Sequence, residues 1–387
     1  MKKKFALGLF VIFIFSFGLS PVLQAEEVVV GAVMPLTGRG ALAGSHFAPG
    51  FRDSLALANE QGGINGKKIK YVEEDGTYTD SVAVAAFKRI MAQHNPIAMY
   101  GESTGLGKAI APEIKERYKV LYTSTSFSSE LADTVNNPYM FVPGPTYSEQ
   151  FGILLQYVAK EKPGAKVAFL YSDTEFGRDP IAYGREECKR LGLDLVSEEI
   201  APMGAVDVTS QVLNMKRKNV EYCLLQGYVV TPVDLVIKTA NDYGLKCKFM
   251  GTWSTIKWLM QKLGPMADQY YGVSPYSFWW MDNVPGIQKI KEYNKKHHPD
   301  VDFRAVYYMQ AWIAGHIIVE SMRRADKAGN LTGDGCAQAL QTLKDFDVGG
   351  IMPPITFKNN SIPVARMYRG NSKTLELDPI SDWLYLR

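Results

Sequence analysis

The sequence predicts an α/β protein: two doubly wound parallel-sheet lobes joined by three crossovers. Three observations carry that expectation. Short β-rich runs alternate with longer segments of helical period. Proline and glycine clusters interrupt this rhythm at three places. The 387 residues, 46% of them hydrophobic and 21% charged, are enough to bury more than one core.

In chain order, Lys2, Lys3 and Lys4 precede an apolar run from Phe5 to Leu19, and Pro21-Val22-Leu23-Gln24-Ala25 follows. A basic start, about 15 apolar residues and a small-residue exit form a secretory signal, too short to span a bilayer comfortably. Cleavage is expected after Ala25. No Cys follows the run, so a lipid-modified amino terminus is not expected. Loss of the three lysines leaves 40 basic residues against 40 acidic ones. That balance removes the electrostatic argument for nucleic acid or anionic membrane as a partner.

Strands are expected at Val28 to Met34, Ile69 to Glu74, Ile97 to Tyr100, Val120 to Thr123, Val167 to Tyr171, Asp194 to Ile200, Tyr222 to Leu225 and Lys248 to Met250. Between them Phe51, Leu55 and Ala58 recur at helical spacing, as do Val82, Ala86 and Ile90, and Ile153, Tyr157 and Val158. The rhythm pauses around Tyr139 to Tyr147, where Pro138, Pro143, Gly144 and Pro145 cluster, changes at Tyr270 to Pro285, and changes again at Gly349 to Pro354, before short strands at Ile355 to Phe357 and Ala365 to Tyr368. The domain reading is a signal over 1–25, one lobe over 26–143 plus 272–350, and a second over 144–271 plus 351–387. Such an arrangement puts a cleft near the strand carboxyl ends and makes hinge closure the natural motion.

Cys188, Cys223, Cys247 and Cys336 fit no zinc or redox spacing. His297 and His298 lie in a charged stretch and read as solvated surface; as neighbours they do not converge on a metal from one helix face. His316 sits in an apolar helix and reads as packed core. No metal and no cofactor are expected.

Gly31-Ala32-Val33-Met34-Pro35-Leu36-Thr37-Gly38 ends the first strand in a loop, and Asn59-Glu60-Gln61-Gly62-Gly63-Ile64-Asn65-Gly66 joins the next helix to a strand. Together with Glu175-Phe176-Gly177, Gln226-Gly227-Tyr228 and Lys248-Phe249-Met250-Gly251, these segments resemble the periplasmic leucine/isoleucine/valine-binding protein family, the solute-binding subunits of branched-chain amino-acid type ABC importers. The resemblance implies a type I periplasmic binding protein. It would be a monomeric, non-enzymatic periplasmic receptor that closes on a small carboxylate or amino-acid ligand and docks on a membrane permease.

The resemblance also assigns site residues. Thr104, next to Ser103, matches a hydroxyl that takes the ligand carboxylate. Thr125, with Ser126 beside it, falls where a backbone contact is made, and Phe127 stands where a Thr is usual. Phe176 matches an aromatic that lies over the ligand, and Tyr228 a Tyr that reaches its polar end. Trp253 replaces the Glu that amino-acid binders use for the ammonium group. An acid with an aromatic or apolar body is therefore favoured, because an ammonium buried without a carboxylate costs several kcal/mol. A branched-chain or aromatic amino acid, with Glu102 supplying the charge, is the alternative. One of Tyr276, Phe278, Trp279 and Trp280 is expected to close the apolar side, and Arg39 is read as solvated.

Gly101-Glu102-Ser103-Thr104-Gly105 matches G-x-S-x-G between a strand and a helix. A secreted esterase using Ser103 is the remote alternative, but it lacks a credible downstream base. A ligand-sensing ectodomain is weakened because no apolar run long enough to span a bilayer interrupts the mature chain.

Overall fold

The computed structural model describes residues 26–385; the signal and its cleavage site lie outside them. The first lobe alternates β1 (Glu27–Met34), α1 (Ala41–Glu60), β2 (Lys68–Asp75), α2 (Asp80–His94), β3 (Ala98–Gly101), α3 (Thr104–Glu113) and β4 (Leu121–Ser124). These strands form a parallel sheet in the order β2-β1-β3-β4. The chain then crosses to α4 (Tyr147–Glu161), β5 (Lys166–Tyr171), α5 (Glu175–Arg178), α6 (Ile181–Leu191), β6 (Asp194–Ile200), α7 (Thr209–Arg217), β7 (Tyr222–Gln226), α8 (Val233–Asp242), β8 (Lys248–Gly251), α9 (Lys257–Leu263) and β9 (Tyr270–Ser274). It returns through α10 (Pro285–His297), α11 (Val306–Lys327) and α12 (Gly333–Leu340), and ends on β10 (Val364–Asn371), β11 (Glu376–Pro379) and β12 (Leu384–Tyr385).

The second sheet runs β11-β10-β9-β8-β7-β5-β6, with β12 paired to β10. Its core from β9 to β6 is parallel, and β10 closes it antiparallel to β9. Both sheets are covered by helices, so central strands such as β7 and β3 are buried along their whole length, as sheets with two covered faces require.

Two expectations are corrected here. Strand β9 belongs to the second sheet, so the lobe crossing falls after Ser274 and not at 272. Ile355 to Phe357 form no strand: Ile355 makes only an isolated bridge to Phe346, since the preceding Pro353 and Pro354 cannot donate to a ladder.

The joint between α1 and β2 explains why its sequence is so particular. Gly62, Gly63, Asn65 and Gly66 all adopt positive φ, which glycine and asparagine tolerate best. Asn59 locks the joint by pairing both its amide groups with the Ile69 backbone, at 2.8 and 2.9 Å. The motif is therefore a structural joint. Among the described residues no helix is long and apolar enough to cross a membrane, and no cluster of three or more His, Cys, Asp or Glu could hold a metal ion.

The histidine pair is not merely solvated. His298 Nε2 lies 2.9 Å from the buried Asp53 carboxylate, and His297 stacks on Tyr293 at 4.2 Å. Tyr308 also donates to Asp53, at 2.8 Å, so this cluster ties α1 to α10 and α11. His316 is packed as expected: its Nδ1 lies 2.9 Å from the Trp312 carbonyl, and burial pushes its pKa down to about 4.

Candidate functional site

The first lobe presents two loops to the cleft, at the ends of β3 and β4. Ser103 caps α3: its backbone is extended and its Oγ accepts from the Leu106 amide at 3.0 Å. That is an ordinary N-cap, and it leaves Ser103 with a structural task in place of a nucleophile's. Ser103→Ala should cost about 1 kcal/mol of stability in chemical denaturation, with any trace ester hydrolysis unchanged. A saturable hydrolysis lost on that substitution would restore the esterase reading.

Thr104 Oγ1 and Ser126 Oγ share a hydrogen bond at 2.8 Å, and Ser126 Oγ also accepts from the Ser128 amide at 3.0 Å. Thr125 donates its hydroxyl to the Glu102 carbonyl at 2.6 Å, and its own carbonyl accepts from Gln310 of α11. The two loops are thus stitched together, and their hydroxyl row is buried.

Aromatic rings from both lobes meet over this row. The Trp253 ring of the second lobe stacks on Tyr307 at 4.4 Å and on Phe47 at 5.4 Å, both from the first. Phe176 meets Trp253 edge-on at 5.6 Å, and Tyr147 bridges Phe176 to Phe127, at 5.1 and 5.7 Å. Phe127, Phe176 and Trp253 therefore lie in one aromatic group. Phe47, Tyr147 and Tyr307 complete the wall from α1, α4 and α11, and sequence reasoning did not single them out.

A cavity of about 20 Å³ lies behind this wall, lined by Phe127, Trp253, Tyr276, Tyr307, Gln150 and Gln310 among others. None of its twelve lining residues is acidic. The Trp253 Nε1–H is buried without an acceptor among the described residues.

One expectation changes. Tyr228 does not offer its hydroxyl to the cleft but donates it to the Ala201 carbonyl at 2.8 Å within its own lobe. Of the aromatic run, Tyr276 lines the cavity while Phe278 and Trp280 stack on each other at 4.7 Å beside Tyr368. Glu102 is buried beneath the turn after β2, where its carboxylate accepts from the Tyr78 amide at 3.2 Å and lies against Gly76. Desolvation, helped by Asp75 and Asp80 and opposed by backbone amides, pushes its pKa up to about 7.

The lobes are also latched at the cleft edge. Lys108 of α3 reaches Glu175 at 3.1 Å and Asp179 at 3.2 Å across the cleft, and Glu130 at 3.2 Å in its own lobe. Ser128 donates its hydroxyl to Asp179. Burial pulls the Lys108 ammonium down, but Asp179, Glu175 and Glu130 outweigh it and hold its pKa above the ordinary lysine range. The Asp179 side chain is only 4% exposed, so removing Lys108 strands a carboxylate. Partial solvent access to the pair cuts the buried-pair cost to about 1–2 kcal/mol. Lys108→Ala should therefore open the lobes, read as a larger radius of gyration in small-angle scattering; an unchanged profile would remove Lys108 from closure.

Residues 27–373 match the family model described as periplasmic binding protein. The Leu/Ile/Val-binding protein homolog 7 of Brucella abortus (strain 2308) is 23% identical over 341 residues, covering 84% of this chain and 82% of its own length. A branched chain amino acid ABC transporter structure from Thermus thermophilus with bound valine shows 26% identity and a TM-score of 0.84, over 94% of this chain and 97% of that one. A fatty acid ABC transporter substrate-binding protein from Thermomonospora curvata superposes with a TM-score of 0.81 at 19% identity, over 94% and 93% of the two chains.

Proposed function

The chain belongs to the periplasmic binding protein family, and from that premise we propose that it is the extracytoplasmic solute-binding subunit of an ABC importer, taking an organic acid with an aromatic or apolar body. It delivers that acid to a membrane permease. One observation carries the ligand class: Trp253 presents a buried, unpartnered N–H where an ammonium reader needs an acceptor, in a cavity with no acidic residue in its lining. An N–H donor suits a carboxylate and offers nothing to an ammonium. Leaving such a donor buried and unpaired costs about 1–3 kcal/mol, which an accepting ligand recovers. The aromatic wall supplies the apolar surface, and the Thr104 and Ser126 hydroxyls lie on the first-lobe side.

The 26% identical Thermus thermophilus protein was solved with valine, which favours a branched-chain amino acid as the second reading. That reading asks Glu102 to pair with the ammonium, although Glu102 is turned under Gly76 and Tyr78.

A thermal-shift series with benzoate, phenylacetate, hexanoate, valine and leucine separates the two. A ligand at about 100 times its dissociation constant adds about 2.7 kcal/mol. The acids are expected to shift the transition and the amino acids to leave it in place; the reverse ranking would overturn the proposal in favour of the second reading.

A further inference from the structure

A second cavity, of about 380 Å³, lies in the first lobe beside the connections that join the lobes. Gln288 and Glu292 of α10, Ile313 and His316 of α11, and Val348 and Ile351 of the loop after α12 are among the residues that line it. It shares no lining residue with the cavity behind Trp253.

Its polar groups are almost all acceptors. The His316 Nδ1 lies 2.9 Å from the Trp312 carbonyl, and a carbonyl only accepts, so Nδ1 carries the proton and Nε2 a bare lone pair. Burial, helped by Lys289 and Arg323, keeps that ring neutral, and Nε2 has no hydrogen-bond partner among the described residues. Gln288 spends its amide on the Asp282 carbonyl at 2.8 Å, which leaves its oxygen to the cavity side. Asp347 accepts the Gly349 amide at 2.8 Å through one oxygen. Neither Asp347 nor Glu292 enters an ion pair among the described residues, and both are exposed at the cavity edge. Lys289 is the one cation in the lining, so carboxylates outnumber it two to one. Acceptors set around Ile313, Val348 and Ile351 suit a donor with an apolar body.

One wall of this cavity also grips the hinge. The loop is closed at its base by paired backbone bonds between Phe346 and Ile355, at 2.9 and 2.8 Å. At its tip the Ile351 carbonyl accepts from the Ser277 amide at 2.7 Å, and the Gly350 carbonyl from the Ser277 hydroxyl at 3.3 Å. Ser277 stands three residues past the end of β9, in the second connection between the lobes. Gly349 hands its carbonyl to the Gly286 amide at 2.6 Å. A side chain at Gly286 would come within 2.6 Å of Ile351 and 2.8 Å of the Val348 carbonyl, so the tip sits directly on the start of α10.

We infer that this cavity is a second ligand site, for a small protonated amine with an apolar body: Glu292, Asp347 and the His316 Nε2 take the ammonium, and Ile313, Val348 and Ile351 the hydrocarbon. An occupant packed against the loop holds its tip on Ser277, and so steadies the hinge in the arrangement described above. The site stands apart from the cleft and does not depend on which solute the cleft takes.

Calorimetric titration with 2-phenylethylamine tests the site, with 2-phenylethanol as the uncharged chain of the same shape. The wild-type protein should bind the amine at least about fivefold more tightly than the alcohol, the gain expected of two exposed charge pairs. Glu292→Gln and Asp347→Asn alter exposed side chains and keep their shape, and the asparagine can still accept from Gly349, so folding is spared. Each should weaken the amine about threefold. Trp253→Phe should leave it within about twofold. Hydrogen–deuterium exchange reads the hinge: bound amine should slow exchange at the Ser277 and Gly286 amides at least about threefold, because both are released only when the loop tip lifts. The inference is overturned if the alcohol binds as tightly as the amine, if both carboxylate variants bind the amine like wild type, or if exchange at Ser277 is unchanged under saturating amine. It is also overturned if Trp253→Phe weakens the amine while the carboxylate variants do not. That last result would place the amine in the cleft and count against the organic-acid reading as well; the other three leave that reading untouched.

Discussion

Trp253→Glu is expected to weaken capture of an acid such as phenylacetate about a hundredfold, close to 2.7 kcal/mol. The substitution acts three ways at once. It deletes the Nε1–H donor, removes the ring that stacks on Tyr307 and Phe47, and brings a carboxylate into a cavity with no acidic lining. The added charge repels an acid and attracts an ammonium. Leucine affinity should therefore rise or stay level while phenylacetate affinity falls. Trp253→Phe separates the contributions, since it keeps a ring and loses only the donor, and should cost about tenfold, one hydrogen bond to a charged acceptor. Calorimetric titration of the three proteins with both ligands gives the ranking. Tight leucine binding by the wild type, lost in the glutamate variant, would show that the amino-acid reading is right.

The fold was legible because its strands announce themselves. β1 reads Glu-Val-Val-Val-Gly-Ala-Val-Met and β7 Tyr-Cys-Leu-Leu-Gln, apolar runs that only a doubly covered sheet demands. β9 went unread because Tyr-Tyr-Gly-Val-Ser sits directly behind a 3₁₀ segment and carries a glycine, which weakens a strand pattern. The cleft loops were also legible, as they follow from strand ends in a wound sheet. The rest of the aromatic wall was not. Phe47 and Phe51 lie at a spacing that a packed helix produces anyway, Tyr307 lies in a helix buried on almost every side, and nothing local tells a cleft-facing ring from a core ring. The left-handed turn at Thr77 and Tyr78 is harder still, because these are residues whose propensities argue against the backbone they adopt. Tyr228 was misassigned for a related reason: its place at a strand end was right, but the Ala201 carbonyl that takes its hydroxyl comes from another loop and leaves no trace in the sequence.

Glu102 should make stability depend on pH across the range where the site works. Its pKa rises from the ordinary 4.5 to about 7, through desolvation first and then the charges of Asp75 and Asp80. At pH below 4.5 both folded and unfolded chains carry the proton and nothing is gained or lost. Between about 4.5 and 7 the folded chain keeps a proton that the unfolded chain has released, so stability falls as pH rises, by about 1.4 kcal/mol per unit. Above 7 the loss levels off near about 3 kcal/mol. Glu102→Gln removes this slope while keeping the shape of the side chain. In urea titrations at pH values of about 4, 6 and 8, the variant should gain on the wild type by about 3 kcal/mol between the extremes. Comparing the two proteins cancels the contributions of other titrating groups. A constant difference across those pH values would mean that Glu102 is ionised throughout, with a cation or water satisfying its second oxygen. In that case a carboxylate stands beside Thr104, and the amino-acid reading gains the charge that it lacks.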